Sequence, residues 1–353
     1  MNLLKTIGKT AVVANIRYVD HSAPLSDEEA EFDDPETVEA IRAALEKGGA
    51  DAEILNADAS LPEELRKRRV DFVFNIAEGK KGRDREAAVP GLLSLYGIPY
   101  SGSDALALSV TLDKSLTKRI AASAGIRTAS EVLVRAEDCC MPEEGGICRK
   151  DGTAFDFSAL SFPVILKPNA EGSGKGITEQ CTARSEAALL PMLERLIRDY
   201  REDILIETFL AGREFTVGLL GNGENLQVFP PMEIVYRHPT QDEFSIYSYE
   251  IKKNYRQHVD YVCPAKIPDE AACEMTDSAR RIFTLLGCRD LARVDFRMDE
   301  GGRPYFLEIN PLPGLAPDYS DYPMAAEAYG IGYEALICRI AEAAIQRIGG
   351  ALS

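Results

Sequence analysis

In the first hundred residues, segments that read as buried strands alternate with segments that read as helices, and that alternation leaves few folds open. "TAVVANI" (10–16) is a nearly unbroken apolar run, and "DPETVEAIRAALEKGG" (34–49) is a helix with Pro35 in its first turn and glycine at its end. "AEILNA" (52–57) and "VDFVFNIA" (70–77) read as further strands on either side of a short helix, "PEELRKR" (62–68). Strands separated by single helices pair in parallel and need crossover connections, so residues 1–105 are expected to form an α/β domain. The acidic segment "SDEEAEFDD" (26–34) is most simply a solvated loop.

The pattern then changes. A helix, "LDKSLTKRIAASAGI" (112–126), is followed by "TASEVLV", by a polar stretch with cysteines over 136–159 that reads as an insertion, and by the strand "FPVILKP" (162–168). The helix "SEAALLPMLERLIRDY" leads into strand-rich sequence, "DILIETFL", "EFTVGLLGN" and "NLQVFPPMEIV". A helix "ARRIFTLLG", two strands and a closing helix "YEALICRIAEAAIQRI" complete the chain. These changes predict a central lobe over 106–205, interrupted near 136–159, and a C-terminal lobe over 206–353.

At 353 residues the chain can build several cores, and 45% hydrophobic with 27% charged residues is ordinary for a globular protein. No apolar run approaches the length of a membrane span and "MNLLKTIGKT" has no signal-peptide pattern, so a cytoplasmic location is the default expectation. Forty basic against fifty-seven acidic residues give a net charge of −17, which argues against a general attraction to nucleic acid or anionic membrane. An anionic ligand must be gathered locally. Eight cysteines without paired CxxC spacing predict thiols in a reducing compartment, with a redox or metal role left open for Cys139, Cys140 and Cys148.

Chemistry concentrates in "DLARVDFRMDEGGRPYFLEINPLPG" (290–314), two strand-like runs joined at Asp299–Gly302. If Met298 faces Arg303, Arg293 pairs with Glu308, and side-chain alternation puts Arg293, Asp295, Glu308 and Asn310 on one face. Two carboxylates and an amide oxygen suit a hard cation, Mg2+ held with a nucleotide's phosphates, far better than zinc. Alone, the same face could be a surface hairpin, with Val294, Phe296, Phe306 and Leu307 on the buried side.

"ILKPNAEGSGKGI" (165–177) carries the second signal. Its glycine-rich loop matches neither the Walker A pattern nor GxGxxG, and by itself is equally a turn or a phosphate cradle. Lys167 on the preceding strand, Lys114 at a helix start, and Lys252 with Lys253 in "YEIKKN" supply cations in an otherwise acidic chain.

The order LDK (112–114), "FPVILKPNAEGSGKGI", "ILIETFLAGREFTVGLLGN", "EIKK", "ARVDF" and "FLEINPLPGL", together with "GLLSLYGIPYSGSDALALSVTLDK", resembles the ATP-grasp superfamily, and within it the D-alanine–D-alanine ligase family. The resemblance runs from about Val70 to the C-terminus. It implies an ATP-grasp fold, with ATP between two α/β lobes, behind an N-terminal Rossmann-like (preATP-grasp) domain. Position by position, Lys114 and Lys167 resemble the family's phosphate lysines, and the loop from Glu171 and Gly172 through Ser173 and Gly174 to Gly176 resembles its lid. Glu207, Thr208, Phe209 and Leu210 resemble the adenine-binding connector, Glu214 the ribose position and Lys252 a further phosphate lysine. Asp295, Glu308 and Asn310 match the magnesium ligands, while Arg293 and the Gly314 amide match the groups that steady the tetrahedral oxyanion.

The implied reaction is a stepwise ligation using ATP and Mg2+ (or Mn2+): a carboxylate is phosphorylated, and an amine displaces phosphate to give an amide. The implied partners are amino-acid substrates, and relatives of this kind are commonly homodimers. The departures fall on the substrate side. The family's N-terminal serine–glutamate motif has no counterpart in "NIRYVDHSAPLSDEEAEFDD", Glu78 stands at a histidine position, Lys253 at a tyrosine and Tyr319 near a serine. Arg83 and Arg85 could clamp a carboxylate, or form ion pairs with Glu78, Asp84 and Glu86 in their own loop. The readings that remain are D-alanyl-D-alanine synthesis, the same mechanism on another amino-acid or dipeptide pair, and a catalytically silent ATP-binding regulator.

Overall fold

The computed structural model describes residues 3–17, 32–142, 146–172, 181–237 and 255–351. Strands β1 (Lys9–Ala14), β2 (Asp51–Asn56) and β3 (Phe72–Asn75) form a parallel sheet in the order β2-β1-β3, with helices α1 (Pro35–Gly48) and α2 (Leu61–Arg68) as crossovers. Val12 and Val13 are fully buried on opposite faces of β1, which is why "TAVVANI" is apolar at successive positions rather than alternate ones. One of these faces is completed from the far end of the chain. Leu336, Ile337 and Ile340 of the closing helix Tyr333–Ala351 share a core with Val12, Ile41 and Leu45.

Helices α3 (Ala88–Tyr96), α4 (Ala105–Leu112) and α5 (Lys114–Ser123) lead out of this lobe. The sequence LDK has a local logic here. Asp113 is the N-cap of α5, its carboxylate accepting from the Leu116 amide at 3.0 Å, so the next residue, Lys114, is fixed at the first turn. Next, β4 (Glu131–Val134), β7 (Val164–Pro168), β8 (Thr182–Ala183) and β9 (Ile204–Thr208) make an antiparallel sheet in the order β4-β9-β7-β8, with α6 (Glu186–Tyr200) packed on it.

The polar stretch between β4 and β7 contains a two-stranded hairpin, β5 (Cys139–Cys140) and β6 (Cys148–Arg149). It overturns the expectation of thiols throughout. Cys140 sits directly opposite Cys148 with Cα atoms 5.3 Å apart, and the two are joined in a disulfide. The other six cysteines form none.

The last sheet runs β13-β12-β10-β14-β15, with β10 (Glu214–Leu220), β12 (Met232–Tyr236), β13 (Val259–Val262), β14 (Leu291–Met298) and β15 (Pro304–Asn310), and β11 (Gln227–Val228) pairing with β10. The helix Asp269–Leu285 covers one face. The hairpin register differs from the one expected. Met298 pairs with Pro304, not Arg303, and Arg293 pairs with Asn310, not Glu308. The turn is one residue longer because the Asp299 side chain takes the Arg303 amide at 2.9 Å and its own amide bonds back to the Arg303 carbonyl. A bulge at Leu307 then shifts the pairing again, so that Asp295 meets Glu308. Without that extra residue Phe306 and Glu308, two apart, would share a face. With it, Phe306 is buried against Phe296 while Glu308 stands beside Asp295.

Among the described residues no helix is long and apolar enough to cross a membrane.

Candidate active site

The charged face of β14 and β15 opens into a cleft of about 380 Å3. Arg293 donates to Asp295 with two nitrogens, Nε at 3.0 Å and Nη2 at 2.9 Å, and its Nη1 lies 3.8 Å from Asp321. Lys114 approaches from α5 to 3.5 Å from Glu308 Oε2, and also donates to the carbonyl oxygen of Glu171. Burial pushes the Asp295 carboxyl up against the pull of Arg293, and Glu308 adds to the push. Burial would lower the Arg293 guanidinium, but Asp295 and Asp321 more than offset it. Two adjacent carboxylates of this kind gain most from a further cation.

The donor set fits magnesium. Asp295 and Glu308 are joined by Asn310, whose side-chain oxygen accepts from the Leu312 amide at 2.9 Å, a set of two carboxylates and one amide oxygen. So few protein oxygens do not make a calcium cage; they suit an ion that keeps water and substrate phosphate in its shell.

The same cleft is lined by Glu78, Lys114, Gly172, Arg293, Glu308, Asn310, Gly314 and Tyr319. A Cβ at Gly314 would meet the Ser320 hydroxyl at 2.7 Å, although the Ser320 Cβ lies at an ordinary 3.5 Å. Gly314→Ala is therefore expected to displace Ser320 from its bond with the Ala316 amide and to lower turnover about tenfold. The double variant Gly314→Ala/Ser320→Ala removes the clash but also lacks that bond, and is expected to recover only part of the loss, as measured by initial rates.

Outside the lining of this cleft, Glu207 on β9 is 2% exposed and forms ion pairs with both Lys167 of β7 and Lys118 of α5. Burial alone would raise its carboxyl, yet Lys118 and Lys167 hold it down to about 2. The Lys167 ammonium is held above its ordinary value by Glu207 despite its burial, whereas burial lowers Lys118. Lys118 was not among the expected residues. It stands one helical turn after Lys114, and that i, i+4 spacing on a capped helix was its only sequence signal.

The neighbouring expected residues already have partners or packing of their own. Thr208 accepts the Ser161 amide at 3.0 Å, and Phe209 lies under the Arg297 guanidinium at 4.7 Å from its ring centre. Leu210 is half-buried. The Glu214 carboxylate already accepts from Tyr236 at 2.7 Å and lies 3.4 Å from Arg297. Ser173, Gly174, Lys252 and Lys253 lie outside the described residues.

Three further findings were not legible in the chain. Arg83 and Arg85 reach beyond their own loop: Arg83 donates to Asp113 at 2.9 Å, and Arg85 to the Ala170 carbonyl at 2.6 Å. Asn169 ties the loop stem to α5, donating to Asp113 at 2.8 Å while its oxygen takes the Ser115 amide at 2.9 Å. The described part of the acidic segment is half-exposed, as expected of a loop, but it also forms part of the cleft wall. Phe32, Asp33 and Asp34 line the cleft beside Arg17, which pairs with Asp34 at 3.1 Å, and burial together with Asp34 pushes the Asp33 carboxyl up to about 7.

The fold and this site define the ATP-grasp class. A structure of D-alanine–D-alanine ligase from Bacillus anthracis, in complex with ATP, superposes with a TM-score of 0.72 at 22% identity, over 98% of this chain and 100% of the other. A family model for the C-terminal part of D-Ala–D-Ala ligases matches residues 121–342. Among curated relatives, the D-alanine–D-alanine ligase of Bordetella petrii is 36% identical over 309 residues, 86% of this chain and 85% of that one. That of Moorella thermoacetica is 33% identical over 308 residues, 87% and 93% of the two chains. The chain belongs to the D-alanine–D-alanine ligase family.

Proposed function

We propose that the protein joins two amino acids in an ATP-dependent carboxylate–amine ligation through an acyl phosphate, with D-alanine as the first substrate to test. The observation that carries this reading is the convergence of Lys114, Glu308 and Asn310 with Arg293 and Gly314 on one cleft, with Asp295 directly behind it, paired with Glu308 across the strands and bonded to Arg293. Lys114 and Lys167 would bind nucleotide phosphates, with Gly172, Ser173, Gly174 and Lys252 around them. Glu207 to Leu210 would border the base and Glu214 the ribose. Mg2+ held by Asp295, Glu308 and Asn310 would neutralise charge on the phosphoryl group being transferred. Arg293 and the Gly314 amide would steady the oxyanion formed when the amine attacks. Water must be kept from the acyl phosphate in a cleft whose wall includes Gly172.

The division into residues 1–105, 106–205 and 206–353, a homodimeric state and a cytoplasmic location belong to the same reading, supported by the family membership. A changed substrate pair is the second reading. It is favoured by Glu78, Tyr319 and Asp33 on the cleft wall and by Lys253 at the position where the family has tyrosine.

Phosphate release from ATP and Mg2+ across a panel of D- and L-amino acids, singly and in pairs, tests both readings. Release with D-alanine alone is the outcome expected of the first, and release only with another pair that of the second. A silent panel would refute the ligase reading for these substrates.

A further inference from the structure

Glu78–Ala87 connects β3 to α3 in the N-terminal lobe, yet its arginines reach out of it. The Arg85 side chain is 2% exposed, with Nη1 donating to the Ala170 carbonyl at 2.6 Å and Nη2 3.8 Å from Glu171 Oε2. Burying a guanidinium costs several kcal/mol unless it is well paired, so an arginine kept for volume alone is a poor choice there. The next link leads to the site. The Glu171 carbonyl accepts from Lys114 Nζ, and that same ammonium lies 3.5 Å from Glu308. Glu202, in the turn before β9, faces Glu171 from the central lobe, and burial together with Glu171 pushes its carboxyl up to about 7. Beside two carboxylates that crowd one another, the Arg85 guanidinium bonds the Ala170 carbonyl and faces Glu171, and so helps to hold the stem that Lys114 also meets. The loop is built to deliver it: Gly79 has φ of 76°, and a Cβ there would sit 2.3 Å from the Arg85 carbonyl oxygen. The following side chain, Glu86, lines the cleft.

We propose that Arg85 is a positioning residue for nucleotide binding: acting through the Ala170–Glu171 stem, it sets where Lys114 presents its ammonium beside Glu308, and so ties the N-terminal lobe to the phosphate end of the site. This rests on the reading that Lys114 and Glu308 meet nucleotide phosphates.

Titration calorimetry with Mg2+ and the non-hydrolysable analogue AMP-PNP tests it without any amino-acid substrate. Arg85→Met fills similar volume without charge and is expected to weaken binding about tenfold, the effect of losing a charged hydrogen bond. Arg85→Lys keeps one charged donor and is expected to stay within about threefold of the wild type. A Met variant within twofold of the wild type, or a Lys variant as weak as Met, overturns the proposal. If circular dichroism shows that Arg85→Met does not fold, Glu171→Gln removes the facing charge from the other side. It is expected to bind about threefold more weakly, and unchanged binding overturns the proposal. Wild-type protein that does not bind AMP-PNP would instead refute the underlying reading of Lys114 and Glu308.

Discussion

Glu308→Gln is expected to remove ligase turnover by a factor of about a thousand while leaving the fold intact. The side chain is one-third exposed, and the buried Lys114 ammonium 3.5 Å away keeps its bond to the Glu171 carbonyl when Glu308 is neutralised. The chemistry is affected far more. Glu308 is one of only two carboxylates on the face that would hold magnesium, and the isosteric amide keeps shape but not charge. Phosphate release under saturating substrates, beside a thermal melt, reads the two effects separately. Full activity in a well-folded variant would show the metal assignment to be wrong.

Glu207→Gln is expected to act in the opposite way, through stability. Glu207 is the shared counter-ion of Lys118 and Lys167, and all three are buried. Removing one partner of a buried ion pair leaves an uncompensated charge and costs about 3–5 kcal/mol. A melting temperature many degrees below the wild type is the expected result, and Lys118→Met in the same chain should restore part of it. The dependence on pH has a definite sign. The carboxyl is held at about 2 in the folded protein against an ordinary value of 4.5. Its contribution is therefore complete above about pH 4.5 and is lost as the pH falls toward 2. The stability gap between wild type and Glu207→Gln should be constant near neutrality and close in acid. A gap that widened in acid would mean that Glu207 is not the counter-ion of the two lysines.

These two glutamates also mark what was legible before the fold was known. The charged face holding Glu308 could be read from alternation along two short strands, because i and i+2 positions share a side whatever the surroundings. The register could not. It depends on the Asp299 side chain capping a longer turn and on a bulge at Leu307, which neither alternation nor turn length announces. Glu207 was placed by its neighbours in the motif, but its partner Lys118 was missed, since a lysine on a helix is ordinarily solvated. Composition says that the acidic segment is wet, which holds for the half-exposed Asp34, but the place of Asp33 and Asp34 in the cleft wall shows only in the fold.

Residue order alone determined the local elements and the chemistry that each could carry: the parallel β-α-β start, the capped helix that begins at Lys114, the oxygen-rich hairpin and the family to which its motifs point. Those features arise from interactions within a few residues, where periodicity and capping are decisive. Tertiary structure decided which of them meet. It brought the closing helix onto the first sheet, Arg85 to the stem at Ala170, Lys118 to Glu207, and Cys140 to Cys148. Most of these contacts join residues far apart in the chain. Their selection rests on the mutual burial of apolar faces and on the cost of burying an unpaired charge, quantities that exist only once the surfaces have been brought together.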